Sequence, residues 1–82
     1  MIWRFTIRLK DIDALSDNQM EALFASGCTD AVPASSCGEA WIDFDREAKT
    51  LEEAMRSAVH DVRQIGLKIA RVEVEEEAFA GT

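Results

Sequence analysis

The sequence has little of what an active site, a metal centre or a membrane span requires. Its 82 residues include one histidine, two cysteines and four glycines. No Ser/His/Asp or Cys/His constellation can be built around His60 in a convincing order, and the cysteines and histidine lack zinc-ligand spacing. There is no glycine-rich phosphate loop, and no apolar run is long enough to cross a bilayer. We therefore expect a protein that is not an enzyme and that uses no metal and no cofactor.

Basic residues are also scarce, with nine Lys and Arg against sixteen Asp and Glu, a net charge of -7. An acidic surface repels phosphates, so we expect no direct nucleic-acid binding and no adhesion to an anionic membrane. The same charge favours a basic protein or nucleoprotein complex as the partner. The alternative explanation is simple solubility, since many small domains carry a charge of this size.

Nothing in the sequence marks export. The apolar stretch from Met1 to Leu9 is interrupted by Arg4 and Arg8, so it is not a signal-peptide core. Cys28 and Cys37 fall at opposite ends of one predicted strand, too far apart to bridge, and we expect free thiols. These features predict a cytoplasmic protein.

Alternation of apolar and polar residues predicts four strands. The second is weak, and we place it at a sheet edge because Pro33 cannot donate a ladder hydrogen bond. The last strand loses its alternation near Ala70, which predicts a β-bulge. The predicted strands are residues 2–10, 28–35, 39–45 and 67–75.

Two helices lie between these strands. The first begins at Ser16 and ends at Gly27; the second begins at Thr50 and ends at Gly66. Each helix has Gln or Glu three residues after its cap, which is the capping-box pattern. The second helix carries a continuous apolar stripe. The predicted core joins Leu51, Met55, Val59 and Val62 of that stripe to Phe5, Ile7, Ile42 and Phe44 of the strands.

The order strand, helix, strand, strand, helix, strand predicts an α+β, ferredoxin-like βαββαβ sandwich. Such a fold has a four-stranded antiparallel sheet with two helices on one face and strands one and three in the centre. We expect a single domain over residues 1–76 and a flexible C-terminal tail over residues 77–82.

The uncovered face of this sheet is the predicted partner-binding surface. Trp41 would lie there among carboxylates, and tryptophan often supplies the central anchor of an interface. A homodimer or Phe79 would cover the same ring in the alternative interpretation. Cross-strand ion pairs with basic residues of the first strand are the simplest explanation of the carboxylates. The predicted binding residues are Glu39, Trp41, Asp43, Asp45, Glu73 and Glu75.

The exposed side of the second helix is the competing location. It carries Glu52, Glu53, Arg56 and Asp61, and Glu52 and Arg56 are spaced to pair one turn apart. The sequence alone does not choose between the two surfaces.

The stretch from Leu23 to Glu76 contains a GC-D-A segment, here GCTDA, then DFDREA and an amphipathic helix. It resembles the N-terminal module of small bacterial regulator or antitoxin-like proteins, in which a helix-turn-helix often follows. The sequence given ends at Thr82, so we expect that DNA-reading part to be absent. The shared motifs are structural, and the resemblance implies no active site.

In size, charge and architecture the chain is similar, by analogy, to small acidic phage inhibitors such as anti-CRISPR proteins. We therefore expect an inhibitor that acts as a nucleic-acid mimic on a basic groove. An antitoxin or regulatory module that neutralises a partner protein is the close alternative. A small-molecule sensing ferredoxin-like domain is an alternative of another class. Salt-sensitive binding to a basic protein would support the first, and stabilisation by a ligand alone would support the last.

Overall fold

The computed structural model describes residues 1–27 and 30–74 of the chain. Its strands form one antiparallel sheet in the order β2-β3-β1-β4, so β1 and β3 are central. The predicted α+β class and four-stranded antiparallel sheet are confirmed. Cys28, Glu75 and the predicted tail lie outside the described residues. The elements are β1 (Ile2–Lys10), α1 (Asp17–Ala25), β2 (Ala31–Ser36), β3 (Glu39–Glu47), α2 (Leu51–Gln64) and β4 (Lys68–Val74).

The β2–β3 hairpin forms one edge of the sheet. Pro33 lies on β2, which has a neighbouring strand on one side only, as its missing N–H requires. Ser36 and Glu39 are the last paired residues, so only Cys37 and Gly38 form the turn. Both have positive φ, 51° and 75°, which is the backbone of the tight hairpin turn that matches strand twist.

Local capping interactions set where the two helices begin. The Ser16 hydroxyl accepts a hydrogen bond from the Gln19 amide at 3.2 Å, and the Gln19 side chain accepts one from the Ser16 amide at 2.8 Å. At α2 the Thr50 hydroxyl accepts from the Glu53 amide at 3.1 Å. These bonds satisfy N–H groups that the first helical turn leaves without partners.

The core lies between the helices and the inward faces of the strands. The rings of Phe5 and Phe44 stack there with centroids 5.4 Å apart. The helices contribute Leu23 of α1 and Ala54, Ala58 and Val62 of α2. The fully buried residues with the largest side chains are Phe5, Phe44, Ile7, Leu23, Ile42 and Val62.

The packing of α2 corrects part of the predicted core. Val62 is buried as expected, but Leu51, Met55 and Val59 are only partly buried at the edges of the cluster. Ala54 and Ala58 are fully buried instead. Their short side chains allow the helix backbone to lie close to the sheet, so the longer side chains flank the contact. The residues of the apolar stripe were therefore predicted correctly, but Ala54 and Ala58, its smallest members, lie at the centre of the contact with the sheet.

The last strand contains the expected irregularity. Arg8 pairs with Arg71 and Leu9 pairs with Ile69, so Ala70 is left without a partner in β1. This is the β-bulge predicted near Ala70. Among the described residues, no helix is both long enough and apolar enough to cross a membrane.

Candidate protein-binding surface

The face of the sheet that points away from the buried core is called the open face here. On β3 it carries Glu39, Trp41, Asp43 and Asp45, which alternate with buried residues along the strand. Glu73 joins them from β4, because its cross-strand partner Thr6 also points outward. The structure thus brings five of the six predicted binding residues onto one surface. The sixth, Glu75, lies outside the described part of the chain.

Two of the predicted carboxylates interact with the residues directly opposite them on β1. The Arg4 guanidinium donates to Asp45 with an Nε–Oδ1 distance of 2.8 Å. The Thr6 hydroxyl donates to Asp43 at 2.6 Å. Cross-strand pairs of this kind each stabilise a sheet by about 0.2–1 kcal/mol. The carboxylates therefore support the fold as well as shaping the surface.

Arg8 is the centre of the interactions on the open face. Its guanidinium donates to Glu73 at 2.8 Å and lies 3.6 Å from a Glu39 carboxylate oxygen. It also lies over the ring of Trp41, 4.9 Å from the centroid. Arg71 donates to the other oxygen of Glu73 at 2.9 Å. Arg8 is consequently only 29% exposed, although it is on the uncovered side of the sheet.

These contacts keep both partners charged. The hydrogen bond from Arg8, followed by that from Arg71, holds the pKa of Glu73 below its ordinary value. The same bond to Glu73 raises the pKa of Arg8. Each hydrogen bond favours the ionised form of its partner, and the nearby opposite charges act in the same direction.

The open face is electrically balanced within the described residues. The net charge of the whole chain is -7, so the excess acidic residues are on the helices, the loops and the stretch that begins at Glu75. The carboxylates of the predicted binding surface therefore lie among basic residues of β1 and β4, as the expected cross-strand ion pairs require. Its five basic and five acidic residues are Arg4, Arg8, Lys10, Lys68 and Arg71, and Glu39, Asp43, Asp45, Glu47 and Glu73.

The carboxylates of β3 remain accessible from the side of β2. The outward residues of β2 are Val32, Ala34 and Ser36, which carry no charge. A groove of about 260 Å³ lies there and is lined by Arg4, Val32, Asp43 and Asp45. Val32 is 62% exposed. The groove therefore offers an apolar wall beside two carboxylates.

Arg46 is a structurally important residue that was not predicted from the alternation of apolar and polar residues. It lies at the inward position of β3 after Phe44 and is only 12% exposed. It donates two hydrogen bonds to Asp30, at 2.9 and 3.0 Å, and one to Asp61 of α2 at 3.0 Å. The available signal was a charged residue at an inward-facing position of the strand, two residues after Phe44 in the series Ala40, Ile42, Phe44. A buried cation at such a position requires partners. Arg46 therefore joins β3, α2 and the segment before β2.

In the described part of the chain, the side chains with chemical reactivity lie far from one another in the sequence and on different elements. His60 is exposed on α2, with its Nε2 3.2 Å from the Gln64 side chain. Cys37 is an exposed free thiol in the hairpin turn. Within residues 1–27 and 30–74, no three His, Cys, Asp or Glu side chains are grouped to hold a metal ion. What the surface offers is charge, hydrogen bonding and one aromatic ring.

Comparison with protein-family models, curated proteins and solved structures gives no match to this chain. The resemblance to regulator or antitoxin modules and the analogy with phage inhibitors stay predictions. A functional conclusion must therefore come from the geometry and charge of the surface.

Proposed function

We propose that the protein is a non-enzymatic inhibitor that binds a basic protein or nucleoprotein complex through the open face of a ferredoxin-like βαββαβ sandwich. Its concrete form is an anti-CRISPR-like nucleic-acid mimic of bacterial or phage origin that acts in the cytoplasm. An antitoxin that neutralises its partner would use the same surface in the same way. The observation that best supports this proposal is the position of Trp41, half-buried and surrounded by exposed carboxylates.

Trp41 has the setting of an interface anchor. Its cross-strand neighbours are Arg8 on β1 and Ala34 on β2, so the ring lies in the interior of the sheet surface. Glu39 and Asp43 stand two residues before and after it on the same face. Interface energy concentrates in central aromatic residues, with polar residues forming a rim around them. Trp41 with its flanking carboxylates matches this arrangement.

The paired state of the carboxylates determines what each can contribute. Asp45 already binds Arg4, and Glu73 already binds Arg8 and Arg71. A cation of the partner therefore exchanges one ion pair for another, and such exposed pairs contribute about 0–1 kcal/mol. The carboxylates chiefly steer association, whereas burial of Trp41 and Val32 supplies the affinity.

The helical side is the second location, and the charge distribution favours it. The described open face is balanced, whereas the described residues outside it carry more negative than positive charge. On α2, Glu52 and Glu53 are exposed, and only one of them has Arg56 as an ion-pair partner in the described chain. A partner that responds to net charge alone would bind there.

Affinity capture from the native host, followed by binding kinetics with the captured partner, tests the proposal. The variant Asp43→Lys/Asp45→Lys should associate more slowly than wild type and with weaker dependence on salt. Glu52→Lys/Glu53→Lys has the same change of charge on the helical side and should bind like wild type. The reverse result, loss with the helical variant alone, would move the function to α2.

A further inference from the structure

We propose that, when no other partner is present, a second copy of the chain covers the open face in a face-to-face, two-fold dimer. This inference goes beyond the proposed function and does not rest on it, because self-association is measured with the protein alone. It is carried by the arrangement of charge on the face, which is complementary to itself.

The charges of the two central strands form two parallel stripes of opposite sign. The stripe on β1 contains Arg4, Arg8 and Lys10, and the stripe on β3 is acidic. The pairing register places Arg4 level with Asp45 and Arg8 level with Trp41. Because the register is fixed by the ladder, the positions of the charges along the strands are fixed too.

One symmetry operation matches these stripes to each other. A two-fold axis parallel to the strands and midway between β1 and β3 places β1 of each copy over β3 of the other, at the same level. Arg4 of one copy then faces Asp45 of the second copy, and Arg8 faces Trp41. A two-fold axis across the strands would instead place β1 over β1, with arginine opposite arginine. A symmetric interface needs such a self-complementary patch, so the pattern selects the first axis.

The outer strands fit the same arrangement. That axis places β4 over β2 of the second copy, so Arg71 lies over Ala34 and Glu73 lies over Val32. Since β2 has no charged residue on this side, no like charges meet there. The exposed Val32 becomes covered, as does the half-buried ring of Trp41.

The size of the face indicates a weak dimer. Four strands about 4.8 Å apart, with roughly 3.3 Å per residue, give a face of roughly 500 Å² per copy. Stable interfaces bury about 800 Å² per partner, and transient ones bury less. Because the described face is balanced, the net charge of the described residues lies outside the contact, where salt screens it over about 8 Å. A basic partner can therefore displace the second copy by mass action.

Sedimentation equilibrium of the full chain at physiological ionic strength tests the dimer. Wild type should dimerise as its concentration rises. Arg4→Asp and Asp45→Arg each create two like-charge contacts per dimer, so each should raise the dissociation constant about tenfold or more, a change of about 1.4 kcal/mol or more. An equimolar mixture of the two variants should form a heterodimer more tightly than either variant forms a homodimer, because every contact of these positions between the two copies is again between opposite charges.

Matched controls separate this effect from net charge and from folding. Lys49→Asp and Glu53→Arg change the net charge by the same amounts at exposed positions away from the open face, and both should dimerise like wild type. Circular dichroism should show all four variants folded, since both side chains of the Arg4–Asp45 pair are exposed to solvent. A monomeric wild type at every concentration overturns the proposal. Dimers that tolerate both Arg4→Asp and Asp45→Arg, or a mixture without heterodimer, overturn it as well. A variant that loses only partner binding bears on the proposed function and does not contradict the dimer.

Discussion

The guanidinium of Arg8 lies over the ring of Trp41, 4.9 Å from its centroid, and the two residues are direct cross-strand partners. Glu73 and Glu39 form ion pairs with the same guanidinium. A cation–π contact of this kind is a weak attraction at an exposed site. The contact favours one orientation of Trp41 in the absence of any partner, so less rotamer freedom is lost when the ring becomes buried.

The Arg8–Glu73 pair should make stability depend on pH. The pKa of Glu73 is held below its ordinary 4.5, so the ionised carboxylate stabilises the fold. That contribution is complete above about pH 4.5 and is lost as the pH falls through the lower native pKa. In urea unfolding at neutral pH, Glu73→Gln should be less stable than wild type, and the difference should shrink below pH 4.5. A difference that stays constant with pH would show that the pair has no such effect.

The core packing predicts which truncations are severe. Phe44→Ala removes a buried ring stacked on Phe5 and should cost about 3–5 kcal/mol, a large part of the stability of so small a domain. Val62→Ala should cost about 2–3 kcal/mol, and Val59→Ala about 1 kcal/mol, because Val59 is only partly buried. Thermal and urea unfolding measure these differences. Equal losses for the two valines would contradict the orientation of α2.

Arg46 should contribute more to the stability of the fold than a charged residue on a strand usually does. Arg46→Ala leaves Asp30 and Asp61 without their shared cation and should cost about 1.5–3 kcal/mol in chemical denaturation. Arg46→Lys should recover part of this loss, because an ammonium keeps the charge but cannot form the two-pronged contact. Arg56→Ala is the control, since its pair with Glu52 is exposed and should contribute less than about 0.5 kcal/mol. An Arg46→Ala protein as stable as Arg56→Ala would show that Arg46 does not stabilise the contact of β3 with α2 and with the segment before β2.

The reactive side chains should be dispensable. His60→Ala and Cys37→Ser change exposed groups away from the open-face cluster and should leave partner binding and biological activity unchanged. Activity assays with folded variants check this. A folded His60→Ala protein without activity would reopen an enzymatic explanation.

The fold was largely readable from the sequence because its signals agree. Period-two alternation defined β1 and β3, capping residues defined the starts of both helices, and Pro33 marked the edge strand. The bulge at Ala70 was visible as a break in alternation. These features are local, and a single strong pattern supports each one.

The position of the surface and its cross-strand ion pairs were both expected from the sequence, but the partner of each charge was not. Alternation placed Asp43 and Asp45 outward, yet the balance of charge depends on which strands are neighbours and in what register. Arg46 was missed because its partners, Asp30 and Asp61, are 16 and 15 residues away and meet it only through tertiary packing. The burial of Ala54 and Ala58 was likewise not predicted, because it depends on the distance between α2 and the sheet.

The dissociation rate of the Trp41→Ala protein from its captured partner tests the central claim most directly. Loss of a central aromatic anchor typically costs about 2 kcal/mol or more, so the complex should dissociate roughly 30-fold faster, with little change in association rate. Phe24→Ala is the matched control, because Phe24 is an exposed aromatic residue on α1, away from the open face. The account predicts fast dissociation for Trp41→Ala and wild-type dissociation for Phe24→Ala. A folded Trp41→Ala protein that dissociates as slowly as wild type would contradict it.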